Sequence, residues 1–251
     1  MKLITGTCQW EEKYSQQAAE YIYDISSKYD MNDNVVFKAS FDKANRTSLN
    51  SSRGPALETF LHGMKNVKEK YGFKLITDIH NDRQPAQINK NNIFDVLQVP
   101  AFLSRQTDIL LATRRAANII NVKMGQWMSA QDVGGILSKV GDDESVWITY
   151  RGTSFGYNNL VVDFTQFQIM RDMYPNINII FDVTHSVQKP GGNGFTSGGN
   201  RDMVEGLARA SIAQGYIDGL FLETHPDPDK ALSDGPNSIT QQQLDNILKE
   251  I

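Results

Sequence analysis

Ile179-Ile180-Phe181-Asp182-Val183-Thr184-His185 is a β-branched and aromatic run that stops on an imidazole. Just beyond it lie Pro190-Gly191-Gly192-Asn193-Gly194 and then Ser197-Gly198-Gly199. A buried strand that delivers a histidine to its carboxyl end, followed by a glycine-rich loop, is how a parallel α/β enzyme presents a site. Taken alone, His185 reads equally well as a structural imidazole at a strand terminus. The rest of the chain decides between the two.

Seven further runs of the same kind occur, with strands expected at 2–7, 34–38, 74–78, 95–100, 118–123, 145–151 and 219–223. Between them the apolar spacing turns helical. Ala18, Tyr21, Ile22 and Ile25 share one face within 15–29. Pro55 opens a helix striped by Leu57, Phe60, Leu61, Met64 and Val67. A weak helix is expected over 84–91, and others over 107–116, after Ser129, over 160–173, over 203–214 and over 240–251. Strand and helix therefore alternate eight times. Right-handed βαβ units repeated eight times close into a (β/α)8 TIM barrel, which needs about 250 residues. With 251 residues and no linker or break in composition, one α/β domain over 1–251 is expected. A doubly wound open sheet is the alternative, and the strand count favours the barrel.

The formal net charge of -4 argues against nonspecific nucleic-acid binding. No apolar stretch reaches the roughly 20 residues of a membrane span, and the N-terminus lacks a signal-peptide core. A single cysteine rules out an internal disulfide. A cytoplasmic protein is the expectation.

Barrel enzymes build their sites at the carboxyl ends of the strands. Those ends carry Cys8, Lys38, Asp78, Gln98, Lys123, Arg151, His185 and Glu223. Two chemical subsets emerge. Cys8, His185 and Glu223, with Asp234 in the loop after the last strand, offer a thiolate, an imidazole and two carboxylates. That set suits a borderline divalent cation such as Mn, Fe, Co or Zn. Their strands are first, seventh and eighth, and become neighbours once a barrel closes. By itself Cys8 reads as a small buried hydrophobe and Asp234 as an Asp-Gly turn residue; their joint position points to metal. The second subset is Lys38, Lys43, Arg46, Arg105, Lys123 and Arg151. Cations at buried strand ends are uncommon unless they meet an anion. Pairing with Asp78, Asp182 and Glu223 accounts for one or two and leaves an excess. The excess suits a polyanionic substrate, or two phosphorylated ones.

Phe37-Lys38-Ala39-Ser40-Phe41-Asp42-Lys43-Ala44-Asn45-Arg46-Thr47-Ser48 resembles the 3-deoxy-D-manno-octulosonate 8-phosphate synthases. The resemblance continues at Pro100 to Asp108, Arg151 to Leu160, Phe181 to His185 and Glu223 to Pro228, in order, from about Cys8 to the C-terminus. It implies a (β/α)8 barrel, a homotetramer, and condensation of phosphoenolpyruvate with D-arabinose 5-phosphate and water, with release of phosphate. The product feeds the Kdo sugars of lipopolysaccharide. By resemblance, Lys38, Lys43, Gln98, Lys123 and Arg151 hold phosphoenolpyruvate. Asn45, Arg46 and Thr47 hold arabinose 5-phosphate, with Arg105 reaching in from a neighbouring subunit. Asp78, His80, Ala101, Phe102 and Gln188 line the substrate pocket, and Lys43, Asn45, His185 and Asp234 are catalytic.

The family has metal-dependent and metal-independent classes, with Cys in the first where the second has Asn. Cys8 therefore implies a metal-dependent form liganded by Cys8, His185, Glu223 and Asp234. The Gly191-Gly192 loop agrees, while Asp234-Gly235-Pro236 resembles the other class. Three departures stand out: Tyr150 where an acidic residue is usual, Met124-Gly125 after Lys123, and Asn81 where Glu is common. The rival readings are the sister condensation with erythrose 4-phosphate, against which Lys43-Ala44-Asn45-Arg46 argues, and an inactive barrel kept as a binding subunit.

Overall fold

Alternation of side chains along each strand sorts the apolar runs into two separate layers. Ile4, Val36, Ile76, Val96, Trp147, Ile180 and Phe221 form a small cluster of their own. Their strand neighbours Leu3, Val35, Phe37, Leu75, Leu97, Ile120, Ile148, Ile179, Phe181 and Leu220 belong to a larger one, shared with the helices. Successive strand residues face opposite sides. The small cluster is thus the plug inside a barrel, and the large one the shell between strands and helices.

The computed structural model describes residues 1–44, 52–154, 159–189 and 198–251. The barrel strands are β1 (Lys2–Gly6), β2 (Val35–Lys38), β3 (Lys74–Asp78), β4 (Val96–Val99), β5 (Ile119–Lys123), β6 (Val146–Tyr150), β7 (Asn178–Asp182) and β8 (Gly219–Glu223). They are parallel and close in sequence order, with β8 pairing back onto β1 from Lys2↔Gly219 to Gly6↔Glu223. The (β/α)8 barrel replaces the open-sheet alternative. Closure demands a glycine at position 6. Its φ is +152°, and a Cβ there would lie 2.1 Å from the Lys38 carbonyl oxygen.

The helices are α1 (Glu12–Lys28), α2 (Leu57–Tyr71), α3 (Gln84–Ile88), α4 (Thr107–Ala116), α5 (Val133–Val140), α6 (Thr165–Met173), α7 (Val183–Ser186), α8 (Val204–Gln214) and α9 (Gln241–Leu248). α9 starts at a capping box between Thr240 and Gln243, and α2 ends on Gly72 at φ +73°. No helix among the described residues is long and apolar enough to cross a membrane.

Three elements differ from the sequence expectation. The run to His185 is not one strand: β7 stops at Asp182, and Val183–Ser186 is a helical turn. Asp182 caps that turn by accepting from the His185 backbone N–H at 3.0 Å, which ends the strand where the carboxylate becomes available. The helix expected over 160–173 begins at Thr165, because Leu160–Val161 pair with Thr153–Ser154 in a two-stranded sheet. Asp163 sets the start by accepting from Thr165 N and Oγ1 at 3.0 and 2.6 Å. The helix expected over 84–91 stops at Ile88, where Asn89 accepts from Phe94 N and donates to the Phe94 and Ala116 carbonyls instead.

The plug has fully buried members from several strands, so it is sensitive to voids. Ile180→Ala removes a side chain with 0% exposure and is expected to cost about 2–5 kcal/mol, read as a lower urea midpoint.

Candidate active site

The same parity that buries the plug carries a polar layer directly above it. Lys38 lies two residues past Val36, Asp78 past Ile76, Gln98 past Val96, Asp182 past Ile180 and Glu223 past Phe221. Lys123, Thr149 and Arg151 continue the inward phase of β5 and β6. All eight of these residues are buried. A barrel of this length places charge inside its carboxyl mouth because the inward apolar positions run out one step before the strands do.

Four of the expected ligands converge there. One ligand atom each from Cys8, His185, Glu223 and Asp234 lies within 4.8 Å of the others. The Cys8 thiol donates to Asp234 Oδ2 at 2.9 Å, and His185 Nε2 lies 3.5 Å from Glu223 Oε1 and 4.0 Å from Asp234 Oδ2. Glu223 Oε2 is buried with no hydrogen-bond partner among the described residues, a costly arrangement for a carboxylate oxygen unless a cation meets it. Burial, reinforced by Asp234 and Glu223, pushes the Cys8 thiol up. Burial opposes charge on Asp234, but His185, Lys43 and the Cys8 hydrogen bond pull its carboxyl down to about 2. Asp234 adopts φ 53°, a left-handed conformation that Asp tolerates, and it folds its loop by accepting Asn237 N and Ser238 N, both at 3.0 Å. Two carboxylates, an imidazole and a thiol, one oxygen of them orphaned, fit a borderline divalent cation.

Asp182 orients the imidazole. The His185 Nδ1 lies 2.8 Å from Asp182 Oδ2 and 3.0 Å from Oδ1. With Nδ1–H donated to this carboxylate, the Nε2 lone pair faces the cluster. Lys123 Nζ donates to Asp182 as well, and sits 3.8 Å from the Phe221 ring centroid. Burial opposes the Asp182 charge, but His185 and Lys123 outweigh it and hold the carboxyl far below the usual range. The sequence offered Asp182 only as a salt-bridge partner. An acid three residues before His185, at the end of an apolar run, was the signal for its orienting role.

The cations line the other side of the mouth. Lys38 Nζ donates to Ser40 Oγ at 2.8 Å and to Asp78 Oδ1 at 3.3 Å, and His80 Nε2 lies 3.2 Å from Asp78 Oδ2. Burial opposes the Asp78 charge, yet Lys38 and His80 hold its carboxyl well below normal. Arg151 Nη2 donates to Gln188 Oε1 at 2.8 Å, while its buried Nε has no partner among the described residues. Lys43 lies among Cys8, Asp78, Glu223 and Asp234; burial opposes its charge, and the surrounding anions raise its pKa. Gln98 Oε1 accepts from Asn121 Nδ2 at 3.3 Å, a partner the sequence reading did not name.

Other expected site residues are not in this group. Asn45, Arg46 and Thr47, with Gly191 and Gly192, lie outside the described residues. Among the described residues on either side of 45–51, Arg53 pairs bidentately with Asp42, and Lys43 N donates to the Arg53 carbonyl at 2.7 Å. Ala101 is buried beside β4, whereas Phe102 and Arg105 are exposed; Phe102 packs on Trp127 at 6.0 Å. Among the described residues, no contact joins the Arg105 side chain to the cluster.

The three departures fall away from the ligands. Met124 joins the outer apolar shell, as does Tyr150. The Tyr150 hydroxyl pairs with Thr153 Oγ1 at 3.0 Å and accepts from Asp163 N at 2.9 Å. Asn81 accepts from Arg83 N and Gln84 N, each at 3.0 Å, and so starts α3. Removing the Asp182 charge touches the site instead. Asp182→Asn is expected to weaken zinc binding by about 10–100-fold, measured by competition with a chromogenic chelator.

The geometry agrees with comparison to known proteins. A model of the DAHP synthetase I family matches residues 1–251. The chain is 49% identical to the 2-dehydro-3-deoxyphosphooctonate aldolase of Desulfatibacillum aliphaticivorans over 99% of this chain and 90% of the relative. It is 44% identical to the enzyme of that name from Syntrophotalea carbinolica over 99% and 88%. Against its namesake from Brucella canis it is also 44% identical, over 100% and 89%. With a closed barrel, four converging metal-type donors and a ring of buried cations, the chain belongs to the DAHP synthetase I family and, within it, with the 2-dehydro-3-deoxyphosphooctonate aldolases.

Proposed function

We propose that this chain is a 3-deoxy-8-phosphooctulonate synthase that condenses phosphoenolpyruvate with D-arabinose 5-phosphate and water. The observation that carries this reading is the shared mouth: the Cys8–His185–Glu223–Asp234 cluster lies near buried Lys38, Lys123 and Arg151 and half-buried Lys43. Two polyanionic substrates repel each other in solution. Fixed cations in a poorly solvated mouth offset that repulsion and hold the reacting carbons together.

Lys38, Lys123 and Arg151 are placed to hold the phosphate and carboxylate of phosphoenolpyruvate. The Arg151 Nε–H, which has no partner among the described residues, is a donor suited to an anion. Lys43 reaches towards the sugar aldehyde from the base of the 45–51 loop, which carries Asn45, Arg46 and Thr47 for the sugar phosphate. C3 of the enol attacks the aldehyde carbon, and the carbonyl oxygen takes up a proton. Positive charge develops at C2. Water adds there and loses a proton, and the C–O bond to phosphate then breaks as the new hydroxyl gives up its proton to the departing phosphate, leaving the ketone and inorganic phosphate. A divalent cation held by Cys8, His185, Glu223 and Asp234 would supply Lewis acidity, orienting substrate oxygens or lowering the pKa of water. Mn, Fe, Co and Zn all suit this donor set.

The whole chain serves as one catalytic domain in the cytoplasm. Exposed Phe102 and Arg105 support a homotetramer in which Arg105 completes the sugar-phosphate pocket of a neighbouring subunit.

The test is phosphate release from phosphoenolpyruvate plus arabinose 5-phosphate after EDTA treatment and again after Mn is added back. Activity should vanish and return. Turnover with erythrose 4-phosphate instead would move the chain to the sister reaction, and no turnover with either sugar would favour the inactive barrel. Cys8→Ala should lose metal, measured by elemental analysis, together with most of the activity; full activity without metal would overturn the ligand assignment.

A further inference from the structure

Gln188 joins two groups that the proposed reaction uses separately. Its carboxamide oxygen accepts from Arg151 Nη2 at 2.8 Å, and its amide nitrogen donates to Asp234 Oδ1 at 2.8 Å. The backbone is fixed, because Gln188–Lys189 pair antiparallel with Gly198–Gly199. A carboxamide is suited to this place. It presents an acceptor to the cation and a donor to the anion, where a carboxylate would repel Asp234 and an ammonium would repel Arg151.

Each partner keeps its working atom free of the amide. Asp234 offers Oδ1 to Gln188, while Oδ2 faces the Cys8 thiol at 2.9 Å and His185 Nε2 at 4.0 Å. Arg151 is held through Nη2, while Nε has no partner among the described residues. One side chain thus orients a ligand of the four-donor cluster and an anion anchor, without occupying the face that either turns to its ligand.

We propose that Gln188 is a positioning residue that couples the two sites, so that a divalent cation in the cluster and an anionic substrate on Arg151 strengthen each other's binding. This rests on the reading that the cluster holds a cation and that Arg151 meets phosphoenolpyruvate. The physical basis is shared ordering. Whichever ligand binds first fixes Gln188, and with it the side chain the second ligand needs, so the second binds at a smaller entropic cost. Such coupling is reciprocal by thermodynamic necessity. A second bridge, Lys123–Asp182–His185, runs between the same two regions, so loss of Gln188 lowers the coupling without erasing it.

The test is calorimetry without sugar, so that no turnover occurs. Phosphoenolpyruvate is titrated into metal-free and zinc-loaded protein, and zinc into protein with and without phosphoenolpyruvate. In the unmodified chain each ligand should tighten the other by the same factor, on the order of tenfold. Gln188→Met keeps the length and the charge but removes both hydrogen bonds, so direct attraction between zinc and the anion is the same in both proteins. The factor should fall at least about threefold in the variant. Gln188→Asn, an amide too short to span both partners, gives the same comparison if the Met variant does not fold. An equal factor in variant and unmodified chain, or a factor of one in the unmodified chain, overturns the coupling while leaving the reaction intact. Phosphoenolpyruvate that binds neither form overturns the proposed reaction and the coupling together.

Discussion

A single buried carboxylate, Asp182, fixes the arrangement of the mouth. It is fully enclosed, and it accepts from the His185 backbone, the His185 ring, Lys123 and Thr184 Oγ1. Thr184 in turn accepts from Glu223 N at 3.2 Å, which ties the end of β8 to the same knot. One acid therefore ends β7, starts the turn that carries the metal-type histidine, orients its ring and positions the Lys123 ammonium. Replacing such a group leaves buried partners unpaired, which is why its loss costs more than the pair itself contributes.

Among the described residues, charge in the mouth is balanced before any ligand enters, so the cation excess expected from the sequence is not seen among them. Lys38, Lys43, Lys123 and Arg151 face Asp78, Asp182, Glu223 and Asp234, and burial keeps the Cys8 proton in place. A divalent cation that displaced the thiol proton would leave the region positive. That sign attracts the anionic carboxylate and phosphates of the proposed substrates. Buried ion pairs are weak stabilisers, because desolvation consumes most of their attraction. Their concentration at one end of the barrel belongs to function, while the apolar plug beneath them carries stability.

The positions that depart from the family pattern show how strand parity separates tolerance from constraint. Tyr150 and Met124 each follow or precede an inward cation by one residue, and both face the outer shell. Tyr150 packs edge-on against Phe167 at 5.3 Å, and its hydroxyl holds Thr153 and Asp163. Changes on that face alter how Thr153 and Asp163 are held and leave the buried cations of the mouth in place.

The sequence by itself determined the barrel and most of the mouth. Strand period is local, so once Val36, Ile76, Val96 and Phe221 are assigned inward, Lys38, Asp78, Gln98 and Glu223 must follow them into the mouth. The residues that lie outside regular strands were less legible. Reading His185 as a strand terminus was wrong because a side-chain cap, invisible to periodicity, had already turned the chain. The Cys8–Asp234 contact spans 226 positions, and the Arg151–Gln188–Asp234 bridge draws on three separate loops. Tertiary structure alone decided these, because they depend on closure of β1 against β8 and on loop backbones whose geometry no local pattern encodes. Alternation sets which way a side chain points. Only the closed barrel sets which other side chain it meets.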